Sequence, residues 1–231
     1  RLVLAATGAS GAIYLQRLLH YLDGPEHELH LVFSSYAKQV IQEEIGELNI
    51  PAGAVEHSNK SMNAPFASGS ARFDAMVVVP CSMGTLARIA HGTSESLILR
   101  AADVFLKERR PLILVPRETP WNLIHLRNAT TAIEAGAHLL PASPSFYSRP
   151  QTFDELADTV VWRILDQLGI EAPNACRWRE NSPQPTPSDS QAFLPGSPPS
   201  QKAVRNASRN TSAIAQPGKA TEAPAKQGWE G

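Results

Sequence analysis

Residues 80–120 read PCSMGTLARIAHGTSESLILRAADVFLKERRPLILVPRETP, and this segment indicates the architecture of the whole chain. It begins where one apolar run, Ala75–Pro80, ends, and it contains a second run, Pro111–Pro116. A helical pattern over about Glu95–Arg109 separates the two runs. Short apolar runs of this kind are typical of buried parallel strands. Ligands bind beyond the carboxyl ends of such strands, so the residues directly after each run are candidate site residues.

Three cations in this segment could converge on one anion. Arg100 and Lys107 are seven residues apart, so they project from nearly the same side of a helix, and Arg117 follows the second apolar run. The planar fork of Arg and the compact charge of Lys suit a phosphate. Asp103 lies three residues after Arg100 and four before Lys107, so the same residues could instead form a solvated, salt-bridged face. On spacing alone, the solvated face is the commoner outcome.

The rest of the chain repeats the alternation of apolar runs and helical patterns. Strands are predicted over Leu2–Thr7, Leu29–Ser34, Ala54–His57, Ala75–Pro80, Pro111–Val115 and His138–Pro141. Helices are predicted from Ile13 to Leu22, Tyr36 to Glu44, Cys81 to His91, Glu95 to Arg109, Leu123 to Ala135 and Phe153 to Leu168. This alternation predicts a three-layer α/β/α fold around a parallel sheet. The polar segment 58–74 is long enough to be functional or to reach a neighbouring subunit, or it is a floppy connection.

A tight turn, Gly8-Ala9-Ser10-Gly11-Ala12, follows the first predicted strand. A strand, a glycine-containing turn and a helix N-terminus together suit an anion or a nucleotide, because the first helical N–H groups lack intrahelical partners. The turn does not match GxGxxG, and it could equally be a plain turn with Ser10 as the helix N-cap. Ser34 and Ser35 carry the same two alternatives at the end of the second strand, where they either face a ligand or cap the next helix.

Composition separates a folded part, residues 1–178, from a C-terminal tail. Pro, Ser, Ala, Gln and Asn dominate residues 179–231, which cannot bury enough apolar surface to offset their chain entropy, so we expect a disordered tail. The whole chain has 21 Lys+Arg and 22 Asp+Glu, which is not the balance of a nucleic-acid-binding protein. Two cysteines, Cys81 and Cys176, indicate a reducing compartment. With no metal-binding motif and no long apolar run, we expect a cytoplasmic protein that uses neither a metal nor a membrane.

Four stretches of the sequence closely resemble the UbiX-type flavin prenyltransferases. They are TGASGA, PCSMGTLARIAHG, LILRAADVFLKERRPLILVPRETP and LLPASPSFYSRPQTFDELADTVVWRILDQLGI, and the resemblance runs from about Leu2 to Trp178. It implies a homo-oligomer, usually a dodecamer, of Rossmann-like subunits that bind reduced FMN and dimethylallyl monophosphate. Such enzymes join the dimethylallyl group to N5 and C6 of FMN without a metal. The prenylated FMN then serves a UbiD-type decarboxylase, commonly in ubiquinone biosynthesis.

The resemblance also implies roles for individual residues, and it favours a shared anion site over a solvated face for the three cations. The flavin and its phosphate would contact Gly8, Ala9, Ser10, Ser34, Ser82, Thr85 and Arg100. The prenyl phosphate would contact Lys107, Arg117, Tyr147 and Arg163, together with Ser68 and Gly69 from an adjacent subunit. Catalytic roles are expected for Ser10, Glu44, Lys107 and Glu118. Glu118 would assist proton movement between phosphate and flavin, unless it only forms a surface pair with Arg117.

Two departures from the family pattern bear on these assignments. Ser145 stands where a glycine often precedes the Phe-Tyr pair, and the region around residues 43–55 is shorter than in some relatives, so Glu43 competes with Glu44 for the acidic position. Two rival functions are a flavin-dependent cysteine decarboxylase of the same architecture and a non-catalytic flavin carrier. Residues 34–38, SSYAK, lack the histidine that the decarboxylase needs, and a carrier would not need the predicted prenyl-phosphate residues.

Overall fold

A computed structural model of the chain describes residues 1–177. The predicted boundary at residue 178 and the predicted tail, 179–231, lie outside the described residues. The strands are β1 (Leu2–Ala6), β2 (Leu29–Phe33), β3 (Val55–Ser58), β4 (Ala75–Cys81), β5 (Leu112–Pro116) and β6 (His138–Leu139). The helices are α1 (Ala12–Tyr21), α2 (Ser35–Glu44), α3 (Met83–Ala90), α4 (Leu97–Lys107), α5 (Leu123–Glu134) and α6 (Phe153–Leu168). Among the described residues, no helix combines the length and the apolar character that a bilayer crossing requires.

The strands form one six-stranded sheet in the order β3-β2-β1-β4-β5-β6, and every neighbouring pair is parallel. The chain therefore adds β2 and β3 on one side of β1. It then crosses back and adds β4, β5 and β6 on the other side. Leu2 pairs with Leu29 of β2 on one side and with Ala75 of β4 on the other. This is the doubly wound arrangement, and it confirms the predicted fold. The reversal of strand order opens a crevice at the carboxyl ends of β1 and β4.

Helices cover both faces of the sheet, as the alternation along β1 illustrates. Leu2, Leu4 and Ala6 belong to a buried cluster that includes α1 and α6, whereas Val3 and Ala5 belong to a second cluster with α3, α4 and α5. Successive side chains of a strand point to opposite faces, so one apolar strand supplies both layers. Both faces of β1 are therefore buried, which explains why its sequence is apolar throughout and does not alternate with polar residues.

The last strand is shorter than predicted. β6 covers only His138–Leu139, whereas the sequence predicted a strand as far as Pro141. The segment nevertheless continues along β5, because the N–H of Leu140 donates to the carbonyl of Leu114 at 2.8 Å and that of Ala142 to the carbonyl of Pro116 at 2.9 Å. Pro141 lies between these two donors, so its nitrogen points away from β5 and its missing N–H costs no bond to that strand.

Segment 58–74 is anchored to the body of the protein, so the alternative of a floppy connection is wrong. It contains a 3-10 turn, Pro65–Ala67, whose central Phe66 is 1% exposed. The Phe66 and Phe73 rings lie edge to face at 5.5 Å between centroids, and both rings contact the buried His30. Aromatic rings in this geometry pack favourably, so the segment holds a fixed course across the sheet.

Candidate active site

The turns at the crevice are tied together by a threonine that the sequence analysis did not single out as a site residue. Thr7, directly after β1, donates its hydroxyl to the carbonyl of Pro80 at 3.2 Å and accepts the N–H of Ser82 at 2.8 Å. Its own N–H donates to the same Pro80 carbonyl at 3.1 Å. Thr7 thus fixes the start of α3 against the end of β1. Its position, between a buried strand and a glycine turn, was the signal that could have identified it.

Two serines of the crevice cap helices, which confirms the capping alternative for Ser34. Ser34 Oγ accepts the N–H of Ala37 at 3.0 Å, and Ser82 Oγ accepts the N–H of Thr85 at 3.3 Å. Ser82 Oγ also lies 3.0 Å from Thr85 Oγ1. A hydroxyl that accepts at a cap still has its hydrogen to donate. Ser34 and Thr85 line one cavity of about 190 Å³ beside Thr7, so capping and ligand binding are compatible here.

The glycine turn is closely packed. A Cβ on Gly8 would lie 2.5 Å from Cβ of Tyr36 in the first turn of α2, a distance that real side chains do not adopt. Gly11 occupies the N-cap position of α1 with φ 117°, the left-handed region that favours glycine. The alternative that Ser10 caps α1 is therefore wrong. The N-cap residue is Gly11, which has no side chain with which to cap the helix.

A carboxylate from another helix takes the place of the missing cap. Glu44 Oε2, at the end of α2, accepts the N–H of Gly11 at 2.9 Å and that of Ala12 at 2.8 Å. Burial tends to raise the pKa of Glu44, but the hydrogen bonds from Ser10, Gly11 and Ala12, together with the charge of Arg117, hold this pKa below its ordinary value. An anion at a helix N-terminus is also favoured by the helix dipole.

The structure brings together three residues predicted for the site, namely Ser10, Glu44 and Arg117. The Nε of Arg117 donates to the carbonyl of Ser10 at 3.3 Å, and the Ser10 side chain lowers the pKa of Glu44. Tyr14, on the first turn of α1, faces the same arginine. Burial raises the pKa of the Tyr14 phenol, although the charge of Arg117 opposes the shift. A cation, a carboxylate and a hydroxyl therefore meet at the switch point of the sheet.

Glu118 follows Arg117 beyond β5, at the same edge of the sheet. Its Oε1 accepts the N–H of Thr119 at 2.9 Å, and its backbone carbonyl accepts the indole N–H of Trp121 at 3.0 Å. Within residues 1–177 no salt bridge joins Glu118 to Arg117. The carboxylate is thus oriented by the following turn and lies exposed beside the crevice, in a position to meet a substrate.

The three cations of segment 80–120 have separate partners within one chain, so their convergence on one anion stays a prediction for an assembly of several chains. α4 begins beside β3, where the N–H of Leu97 donates to the carbonyl of Asn59 at 2.9 Å. It ends at Lys107, shortly before β5 begins, so Lys107 lies at the amino edge of the sheet, whereas Arg117 lies at the carboxyl edge. Arg100 and Lys107 share a helix face but are about 10 Å apart along the axis.

Arg100 and Lys107 each have an acidic partner. Arg100 donates to Asp103 at 2.8 Å, as the salt-bridge alternative proposed, and its Nε donates to the carbonyl of Ala67 at 3.0 Å. Lys107 pairs with Glu108 and not with Asp103. The Arg100 side chain thus points to segment 58–74 and not into the cavity lined by Ser34 and Thr85.

Ser68 and Gly69 lie beside Lys107, so three predicted substrate-binding residues form a separate group at the amino edge. A Cβ on Gly69 would lie 2.7 Å from Nζ of Lys107. Arg110 fixes this stretch by donating to the carbonyls of Gly69 at 2.8 Å and Ala71 at 2.7 Å. The backbone of the Ser68–Gly69 stretch is therefore held at a set distance from the lysine.

Tyr147 and Arg163 share a third location, a cleft of about 290 Å³ between the loop before α6 and α6 itself. Arg163 pairs with Asp166 at 2.6 Å, and Asp166 also accepts from Arg177 at 2.9 Å. Two guanidinium groups are thus held at one rim of the cleft by a single carboxylate. The predicted site residues of one chain consequently fall into a carboxyl-edge group, an amino-edge group and this cleft.

Comparison with known proteins agrees with these features. The family model for Flavoprotein matches residues 1–164. A probable UbiX-like flavin prenyltransferase from a Streptomyces species is 50% identical, over 77% of this chain and 91% of the relative. The crystal structure of AnUbiX in complex with FMN and dimethylallyl pyrophosphate is 44% identical, with a TM-score of 0.74 and coverage of 77% and 96%. A dodecameric FMN-dependent UbiX-like decarboxylase from Escherichia coli is 43% identical, with a TM-score of 0.72 and coverage of 77% and 98%.

The arrangement of the crevice and the similarity to these proteins lead to one assignment. Both solved structures are matched over nearly their full length, and the residues that the family model matches, 1–164, include the glycine turn, Glu44, Arg117 and Glu118. The chain belongs to the UbiX family of flavin prenyltransferases.

Proposed function

We propose that this chain joins the dimethylallyl group of dimethylallyl monophosphate to N5 and C6 of reduced FMN, releasing phosphate. The observation that carries the proposal is the group formed by Ser10, Glu44 and Arg117 at the switch point, next to the hydroxyl-lined cavity. Reduced FMN supplies nucleophilic N5 and C6 atoms when it is bound. The chain must therefore hold the flavin, stabilise the leaving phosphate and move a proton.

The donor chemistry of the crevice fits FMN. Ser34, Ser82 and Thr85 offer hydroxyl groups, and the first turn of α3 adds the N–H groups of Met83 and Gly84, which donate to no acceptor within residues 1–177. Neutral hydroxyls and free helix N–H groups suit a phosphate and the polar edge of a flavin ring. We assign these residues, with Gly8, Ala9 and Ser10 of the neighbouring turn, to flavin binding.

The prenyl phosphate requires fixed positive charge, because breaking the allylic C–O bond leaves negative charge on the phosphate. We assign Arg117, Lys107, Tyr147 and Arg163 to this anion, since preorganised cations stabilise developing charge strongly in a site that excludes water. Glu118, next to Arg117 and free of a salt bridge to it, is assigned to proton transfer. Glu44 accepts the N–H groups of Gly11 and Ala12, and its lowered pKa favours the carboxylate, so we assign it to orienting the start of α1 and the glycine turn.

A complete site needs more than one copy of the chain. Lys107, Ser68 and Gly69 lie at the opposite edge of the sheet from Arg117, and the five residues of β5 between these edges span about 13 Å. We propose that the amino-edge group of one subunit completes the carboxyl-edge group of a neighbour in a homo-oligomer. The dodecameric assembly of the Escherichia coli relative supports this arrangement.

We further propose that the product is passed to a UbiD-type decarboxylase and that the reaction takes place in the cytoplasm. A prenylated flavin is a cofactor and not an end product, so an enzyme that uses it must follow. The support for the compartment is the cysteine usage, since Cys81 is buried and Cys176 is unpaired in the described residues.

The decisive test is anaerobic incubation of the protein with FMN, a reductant and dimethylallyl monophosphate, followed by mass spectrometry of the released flavin. A gain of one C5H8 unit is the expected result. Unmodified flavin that nonetheless remains bound would contradict prenyl transfer and favour the flavin carrier. A parallel incubation with dimethylallyl pyrophosphate identifies which phosphate the site accepts, and one with a chelator tests the expectation that no metal takes part.

A further inference from the structure

One buried threonine ties the loop that carries Tyr147 to the helix that carries Arg163. Thr159, in α6, is 7% exposed. Its Oγ1 accepts the backbone N–H of Ser145 at 3.0 Å and donates to the carbonyl of Leu156 at 2.7 Å. The donation within the helix fixes the rotamer of the hydroxyl, so a lone pair is aimed at the loop. The loop is thus bonded to α6 through a side chain that the sequence analysis did not consider.

The position of this contact links the two residues assigned to the prenyl phosphate. Ser145 lies two residues before Tyr147, and Thr159 lies one helical turn before Arg163 on the same face of α6. Ser145, Tyr147, Thr159 and Arg163 all line the cleft of about 290 Å³. The hydroxyl of Thr159 therefore holds the loop backbone, two residues before the phenol, at a fixed point on α6 one turn from the guanidinium.

We infer that Thr159 is a positioning residue for the prenyl phosphate, which it does not itself contact. The inference rests on the proposed function, because it takes Tyr147 and Arg163 as the groups that bind this phosphate. Without the hydroxyl, the N–H of Ser145 has no acceptor in the cleft and the loop moves to satisfy it elsewhere. The phenol is then displaced relative to Arg163, which weakens binding of the prenyl phosphate, although the flavin residues in the crevice keep their places.

The substitution Thr159→Val tests this, because valine keeps the branched shape and removes only the hydroxyl. We expect the KM for dimethylallyl monophosphate to rise about three- to tenfold, the range that corresponds to one lost neutral hydrogen bond, with the Kd of FMN within about twofold of the wild-type value. Thr159→Ser keeps the acceptor and should restore the wild-type KM. The matched control is Thr130→Val in α5, which removes a hydroxyl that donates to the carbonyl of Leu126 at 3.1 Å and touches no loop.

A coupled measurement distinguishes positioning from general destabilisation. In the Thr159→Val background, Tyr147→Phe should raise the KM less than it does in the wild-type protein, because the phenol is already displaced. If Thr159→Val does not fold, the smaller Thr159→Ala takes its place in the same comparison. A wild-type KM in Thr159→Val, or equal effects of Thr159→Val and Thr130→Val, would overturn the inference. Failure of the wild-type protein to make prenylated FMN would instead overturn the proposed function.

Discussion

Glu44 Oε2 lies 2.9 Å from the backbone nitrogen of Gly11, so the last residue of one helix caps the first turn of another. The contact joins residues 33 positions apart, and it places a negative charge where the glycine turn would otherwise present free N–H groups. The N–H groups of Gly11 and Ala12 are thus occupied, which agrees with our assignment of the flavin to α3 and the hydroxyls of Ser34, Ser82 and Thr85. The first prediction follows from this cap.

Glu44→Gln should lower the free energy of unfolding by about 1 kcal/mol, since an amide oxygen caps less well than a carboxylate. The pKa of Glu44 is lowered from its ordinary value of 4.5, so the stabilisation is present above that pH and is lost as pH falls through the lower, folded-state value. Chemical denaturation at pH 7 and pH 3 measures the difference between variant and wild type. That difference should shrink at pH 3.

Glu43→Gln is the matched control for this prediction. Glu43 is exposed, and its one acceptor contact within residues 1–177 is with Gln39 at 3.0 Å on its own helix, so the substitution should change stability by less than about 0.5 kcal/mol at either pH. If the two substitutions changed the free energy of unfolding equally, the Glu44 cap would not stabilise the protein. The pair also decides which of the two neighbouring acids is the site residue.

Gly8→Ala should disturb the crevice because its Cβ would lie 2.5 Å from Cβ of Tyr36. Neither atom is the end of a flexible side chain, so we expect a loss of about 1–3 kcal/mol in stability together with weaker FMN binding. Gly24→Ala is the control, since its new Cβ would approach only the mobile carboxylate of Glu26. Thermal unfolding and fluorescence titration with FMN measure the two effects. Unchanged FMN affinity in Gly8→Ala would argue against flavin binding at this turn.

Glu118→Gln should reduce prenyl transfer by about 10²-fold or more, the usual contribution of a positioned acid or base, while FMN still binds. The side chain keeps its size, and its oxygen can still accept the N–H of Thr119. Glu134→Gln, at the end of α5, is a control far from the crevice and should remain active. Single-turnover measurement of prenylated flavin tests this, and a fully active Glu118→Gln would remove the residue from the mechanism.

The separation of Lys107 from Arg117 predicts complementation between inactive variants. Lys107→Ala and Glu118→Gln should each be inactive alone, whereas oligomers assembled from a mixture of the two chains should regain part of the activity. In a mixed oligomer some sites receive Lys107 from one chain and Glu118 from the other, so they are complete. Dissociation and reassembly of the two purified variants, followed by the mass assay, tests this. No recovery in verified mixed oligomers would place the whole site within one chain.

The sequence predicted the elements better than the contacts between them. The pattern of Phe153–Leu168 gives α6 with the observed bounds, because a regular apolar face depends only on local spacing. The cap of α1 by Glu44 was missed, because it depends on where α2 ends in space and no spacing rule reports that. The seven-residue spacing of Arg100 and Lys107 identified a shared helix face and left open whether the cations converge; it could not report the edge of the sheet at which each residue lies.

The sequence also could not predict side-chain roles that depend on a single hydrogen bond. Thr7 and Thr159 each tie two elements together, yet a threonine in a sequence carries no mark of its partner. Ser34, Ser82 and Thr85 do lie at the crevice, as the rule for the carboxyl ends of parallel strands predicts, whereas Arg100 points to segment 58–74; that the three hydroxyl residues bind flavin stays a prediction. By contrast, the Arg100–Asp103 salt bridge was predicted correctly, because it depends only on the three-residue spacing along one helix.

The placement of Lys107 and Arg117 at opposite edges of the sheet has a consequence for the protein at low concentration. On the proposed arrangement, a chain separated from its neighbours by dilution keeps the hydroxyl-lined crevice that we assign to the flavin, but it lacks a neighbour's Lys107, which we assign to the prenyl phosphate. Activity per chain should therefore decrease as the protein is diluted, while the amount of flavin bound per chain stays constant. The affinity between subunits would in this way set the cellular protein concentration that prenyl transfer requires. Below that concentration, the chains would bind flavin but would not turn over.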